Sequence, residues 1–170
     1  MQQEPQLPSG VEVRRGNRDD AASVAELWKM NAKEHAGYDE IYTPVPNARE
    51  MMRQFLSEVA RGEQNCFLVA TADDPSNDTS TVVGFVTCEL RSSTPTFVAR
   101  TWATIEDVFV HPDWRSRGLG TALVRHCSDW ASEMGASGLS LQVAAGNDRG
   151  REFYARLGFR EVSVYQARDL

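Results

Sequence analysis

The stretch His111-Pro-Asp-Trp-Arg-Ser-Arg-Gly-Leu-Gly-Thr-Ala-Leu123 decides the fold. Before it, Thr104-Ile-Glu-Asp-Val-Phe-Val110 is rich in β-branched and apolar residues and predicts a strand. After it, Leu119, Ala122, Leu123, His126, Cys127, Trp130, Ala131 and Met134 recur at three- and four-residue steps, the signature of one helical face, and Gly135 supplies a stop. A strand, a glycine turn and a helix start make an anion site. The first amides of a helix have no internal partner, and the macrodipole adds partial positive charge there. Gly118 and Gly120 carry no Cβ, so an anion can approach the backbone, and Arg115 and Arg117 add guanidinium charge at the rim. On spacing alone, a glycine turn with two solvated arginines fits equally well.

Two phosphate motifs are excluded. The chain holds no Gly-x-x-x-x-Gly-Lys-Ser/Thr, and Leu123 stands where a dinucleotide fingerprint needs its third small residue. The 170 residues, 41% of them apolar and 25% charged, predict one ordinary globular domain over residues 11–170 behind a disordered lead-in at 1–10. No apolar run reaches the length of a membrane span and no signal-peptide core opens the chain, so the expected setting is cytoplasmic. A net charge of −6 disfavours a general nucleic-acid binder and suits a cationic substrate. Cys66, Cys88 and Cys127 lack metal-ligand spacing and lie in apolar patterns, which reads as three buried free thiols; no metal site is expected.

In chain order, Val11–Arg15 reads as a strand, and Asp19 or Asp20 caps a helix through Val24, Leu27 and Trp28 that fades near Glu34. A loop runs from His35 to Pro46. Asn47-x-x-Glu50 predicts a capping box for a second helix with Met51, Met52, Phe55, Leu56 and Val59 inward. Strands follow at Cys66–Ala70 and Thr81–Leu90, with a polar turn at Asp73–Ser80 between them and Gly84 as a bulge or close-approach point. Beyond the long helix come a strand with Leu139, Leu141 and Val143, a short helix capped by Asn147, and a last strand at Val162–Ala167. This order is α/β with one mixed sheet. By alternation in the central strand, Thr104, Glu106, Val108 and Val110 share one face and Ile105, Asp107 and Phe109 the other, one carboxylate on each.

Arg115-Ser116-Arg117-Gly118-Leu119-Gly120 matches, at every fixed position, the Arg/Gln-x-x-Gly-x-Gly/Ala signature of the GNAT superfamily of N-acetyltransferases. Asn147-Asp-Arg-Gly-Arg-Glu-Phe-Tyr154-Ala-Arg-Leu-Gly158-Phe159 resembles a second element of that family, with Gly150 where the family usually has Ala. The resemblance covers roughly residues 65–165 well. It implies a mostly antiparallel sheet splayed at the central strand and flanked by about four helices. It also implies acetyl-CoA as the donor, with its pyrophosphate on Arg115–Thr121, Leu119 included, and its pantetheine arm against the main chain of Val108, Phe109 and Val110, with Asn147 nearby.

Acetyl transfer needs a neutral amine, and a carboxylate is a natural proton acceptor. A carboxylate in an apolar strand is costly unless paired or used. Glu-Asp at 106–107 resembles the polyamine and thialysine acetyltransferases, which favours Glu106 as base with Asp107 beside the substrate; Asp107 or water as the base, and structural pairing of either carboxylate, are the alternatives. By position Tyr154 is a packed aromatic, whereas the resemblance makes it the general acid. The resemblance also places His35, Tyr38, Asp39, Glu40 and Tyr42 on the wall of the acceptor pocket, where a solvated loop is the alternative. The implied function is transfer to a primary amine of a small molecule. A protein N-terminal or lysine acetyltransferase and a non-catalytic acyl-CoA-binding module are the competing readings. Family members are often homodimers, and the residues show no interface.

Overall fold

Five strands form one open sheet whose spatial order follows the chain: β1 (Val11–Arg15), β2 (Asn65–Asp74), β3 (Thr79–Ser92), β4 (Thr101–Val110) and β5 (Gly138–Leu141). The structure, a computed structural model, describes residues 7–74, 79–94 and 96–168. Most of the expected lead-in, and the tip of the expected turn at 75–78, lie outside them. β1 to β4 pair antiparallel and β5 joins β4 in parallel, the mixed sheet expected. The helices are α1 (Ala21–Ala36), α2 (Ala48–Val59), α3 (Leu119–Glu133) and α4 (Asp148–Arg156).

Strand alternation builds two cores, one on each face. Cys66, Leu68, Val86, Cys88, Ala103 and Ile105 pack beneath Leu119, Leu123, Cys127 and Trp130 of α3. Phe67, Val69, Phe85 and Phe109 pack beneath Val24 and Leu27 of α1 and Leu56 and Val59 of α2. The three cysteines are free and buried, as their apolar settings predict. Burial pushes the Cys66 thiol up to about 12.

Four local expectations are corrected. Asn17 caps the turn that leads into α1; Asp20, at the N-cap position of α1, caps none of that helix's amides but closes a capping box by accepting from the Asn17 amide, and it also accepts two hydrogen bonds from Arg14. The capping box at Asn47 does not form, because Asn47 has a near-helical backbone (φ −99°, ψ 10°) where a cap needs an extended one. Glu50 is drawn to Arg53 and Gln54 instead. Met51 and Phe55 are exposed, since the stripe that meets the sheet is Met52, Leu56 and Val59. The strand expected at Val162–Ala167 is absent. Val162, Val164 and Tyr165 are 78–79% exposed, and among the described residues β5 has no partner on its outer edge. A β pattern becomes a strand only where another strand offers hydrogen bonds.

Two features open the sheet for a site. β4 pairs with β5 only over Trp102–Ile105, so the two strands part beyond Ile105. Gly84 permits a close approach of β3 to β4, since a Cβ there would lie 3.1 Å from the Phe109 carbonyl oxygen. The β2–β3 ladder slips beside it, between Ala70 and Thr71.

Candidate active site

A slip in the pairing of β3 with β4 determines where the carboxylates go. Thr87 pairs with Asp107 and Cys88 with Ile105, which leaves Glu106 as an extra, unpaired residue, a β-bulge. Before the bulge the odd residues Ala103 and Ile105 face α3; after it the even residues Val108 and Val110 do, and Phe109 faces α1. Glu106 and Asp107 therefore fall on the same face, not on opposite faces as plain alternation predicts. Both line one cavity of about 270 Å³, together with Thr104.

The rest of the cavity wall comes from α1 (Trp28, Asn31, Ala32, His35), from Tyr42, and from Arg91, Ile105, Gln142 and Ala144. Of the loop residues expected there, the structure brings in His35 and Tyr42. Tyr38 stacks edge-on against His35 with centroids 5.7 Å apart, the Asp39 carboxylate accepts from the Ile41 amide, and Glu40 is exposed. Trp28, Asn31, Arg91, Thr104 and Gln142 escaped the reading of the sequence. The signal for the α1 set was present: positions 28, 31 and 35 follow helical spacing, and two of the three are polar.

Asp107 is held on both oxygens. One accepts from Asn31 Nδ2 at 3.0 Å and the other from Thr87 Oγ1 at 3.2 Å. Burial pushes its carboxyl above the usual aspartate range. Glu106 lies nearer the surface and pairs with Arg91 at 2.9 Å. His35 Nδ1 lies 3.0 Å from the Asn31 carbonyl oxygen. A carbonyl can only accept, so Nδ1 carries the hydrogen and Nε2 of the neutral ring is free to accept. His111 and His126 lie elsewhere, on backbone groups of their own segments.

On the other side of the splay stands Tyr154 of α4. Its ring packs against Phe153 and Phe159, at 5.1 and 5.6 Å between centroids. No described residue hydrogen-bonds its hydroxyl. Burial, reinforced by the charge of Asp107, pushes the phenol up to about 12. Asn147 caps α4 by accepting from the Gly150 amide at 2.8 Å. A Cβ at position 150 would lie 2.6 Å from Asn147 Nδ2, so the glycine fits the cap and is no mere loosening of the helix.

The anion turn has the form expected. Gly118 takes φ +82° and starts α3, and even Ser116 has a positive φ of 63°. The amide of Ala122 bonds back to the Gly118 carbonyl, which leaves those of Leu119, Gly120 and Thr121 ahead of it open. No side chain caps them. A Cβ at Gly120 would lie 3.3 Å from the Phe153 ring. This cradle of open amides suits a pyrophosphate. The two arginines differ, however. Arg117 stays outside, 5.0 Å from the Trp114 ring centroid, whereas Arg115 turns inward to the Val110 carbonyl and Glu34 rather than to the rim. The amide of His111 bonds to Val83 on β3, so by alternation Phe109's main-chain groups belong to that ladder while those of Val108 and Val110 face the splay. Among the described residues, no group of three or more His, Cys, Asp or Glu is placed to hold a metal ion.

A splayed sheet with an anion cradle at the end of its central strand defines an acyltransferase-like fold. Residues 27–159 match the acetyltransferase (GNAT) family, and the chain belongs to that family. It is 30% identical over 152 residues to an uncharacterized N-acetyltransferase of Methanocaldococcus jannaschii, covering 89% of this chain but only 62% of the relative. A solved Bacillus halodurans protein superposes with a TM-score of 0.80 at 20% identity, over 94% of this chain and 99% of that one. An aminoglycoside N-acetyltransferase in complex with CoA superposes with a TM-score of 0.70 at 19% identity, over 96% and 100% of the two chains. These likenesses are of fold.

Proposed function

We propose that the chain is an acetyl-CoA-dependent N-acetyltransferase that acetylates a primary amine of a small molecule directly, such as a polyamine or an amino-acid-like diamine. The observation that carries this reading is the β4 bulge, which sets Glu106 and Asp107 side by side in one cavity at the splay. Acetyl-CoA supplies an activated acyl group, and the open amides of Leu119, Gly120 and Thr121, with Ser116, Gly118 and Arg117, are the groups to hold its pyrophosphate. The main-chain groups of Val108 and the Val110 amide would orient its arm, beside Asn147.

The chain's own residues divide the proton work. Glu106, half-exposed and paired with Arg91, takes the proton of the incoming ammonium and passes it to solvent. Asp107, His35 and Tyr42 position the amine, with the ring of Tyr42 and the carboxylate of Asp107 favouring a cation. Tyr154 holds its proton for the departing thiolate, and its raised pKa keeps that proton in place at neutral pH. The size and mixed charge of the cavity support a small acceptor.

Two further parts complete the reading. The setting is cytoplasmic, supported by three reduced, buried cysteines, and no described helix is long and apolar enough to cross a membrane. The working unit is a homodimer, supported by the unpaired edge of β5 and the exposed Val162, Val164 and Tyr165; sedimentation would show it. The activity is tested by following CoA release over a panel of diamines, amino acids, aminoglycosides and peptides. Turnover confined to small amines is expected; release with peptides alone, or with nothing, overturns the proposal.

A further inference from the structure

Arg115 heads the anion-turn motif, yet its guanidinium is engaged with three protein groups. Nε donates to the Val110 carbonyl oxygen at 2.8 Å, and Nη2 donates to Glu34 Oε1 at 2.7 Å. The guanidinium carbon lies 5.1 Å from the centroid of the Phe109 ring. Only a planar fork can serve a carbonyl and a carboxylate in two directions while stacking on a ring; a lysine ammonium cannot. Glu34 sits in the last turn of α1, at the negative end of the helix, where a carboxylate is unfavourable unless a cation faces it. The next residue is His35, which lines the cavity and touches the rings of Tyr38 and Tyr42.

We propose that Arg115 is a positioning residue for the acceptor: through Glu34 it fixes the last turn of α1, and with it His35 and Tyr42, against the start of the cofactor turn. The inference rests on the cavity being the acceptor site. It assigns the two motif arginines different tasks. Arg117, lying over Trp114 with no carboxylate among the described residues paired to it, faces the anion, and Arg115 links the anion turn to the amine pocket.

The test compares Arg115→Lys, Glu34→Gln, their double variant and Arg117→Ala. Each is assayed for CoA affinity by calorimetry and for the KM and kcat of the best amine found. Arg115→Lys and Glu34→Gln should each raise the amine KM about fivefold, in keeping with a half-exposed ion pair, and leave kcat and CoA affinity within about twofold. The double variant should be no worse than either single one, because both break the same link. Arg117→Ala should weaken CoA about tenfold and leave the amine KM alone. The proposal is overturned if Arg115→Lys weakens CoA as much as Arg117→Ala does while Glu34→Gln changes nothing, or if the two KM effects multiply. If no amine is turned over, the function reading fails by itself, and amide hydrogen exchange decides the link. Faster exchange at residues 34–43 in both single variants supports it, and unchanged exchange overturns it. Should Arg115→Lys not fold, Glu34→Gln alters only a surface side chain and carries the same comparison.

Discussion

Replacing Tyr154 by Phe removes one proton and little else. The ring contacts with Phe153 and Phe159 survive, and no described hydrogen-bond partner is orphaned, so stability should change by less than about 0.5 kcal/mol. The chemistry should change far more. A general acid contributes about 10²-fold or more, so kcat should fall by at least that factor, about 2.7 kcal/mol in the barrier. CoA affinity should hold within about twofold, because the open amides of α3 do not involve the phenol. The pH profile adds a second signature. An ordinary tyrosine is about 10% ionised at pH 9; with the phenol pushed up to about 12, the ionised fraction there is about 0.1%. Wild-type kcat should therefore show no loss from phenol ionisation below roughly pH 11. The assay is steady-state CoA release from pH 6 to 10 with the best amine, beside thermal melts of both proteins. A folded Tyr154→Phe that binds CoA and turns over at the wild-type rate would refute the reasoning and leave Tyr154 as a packed aromatic.

Gly120→Asp should weaken CoA at least about tenfold by calorimetry, because the new side chain meets the Phe153 ring and brings negative charge to the open amides; unchanged affinity would remove the pyrophosphate from this turn. Glu106→Gln should lower kcat/KM most at neutral pH and recover partly at high pH, where the free amine is abundant; a wild-type profile moves the base elsewhere. Asp107→Asn concerns stability. Burial holds this carboxyl above its ordinary 3.8, so the folded protein binds the proton more tightly than the unfolded chain, and the group's contribution to stability falls as pH rises through that window. The variant should thus gain Tm relative to wild type as pH rises above the ordinary aspartate range; a pH-independent difference would show that Asp107 carries no desolvation penalty.

Much of the fold was legible because it depends on near neighbours in the chain. The period-3.6 face of α3, the glycine turn before it and the run Cys66–Ala70 each carry their meaning in the local spacing of residues, and each took the expected form, except that Met134, at the C-cap of α3, is exposed instead of facing inward. Asn147 capped α4 for the same reason: a cap needs only the next three amides. The failures depend on distant partners. Nothing near Val162 reveals whether a strand stands ready to pair with it, and nothing near Met51 says which side of α2 meets the sheet.

The candidate site divides along the same line. The sequence by itself determined that a glycine turn follows a strand with two carboxylates, and that a tyrosine sits two turns into a capped helix. The tertiary structure alone decided that Glu106 and Asp107 share a cavity, since the bulge that rotates one of them exists only in the pairing of β4 with β3, twenty residues upstream at Thr87. It alone decided that Arg115 reaches Glu34, 81 residues away in the chain, rather than the rim. Side-chain direction within a segment follows from local geometry, but the partner a charge meets is set by which segments the two cores press together.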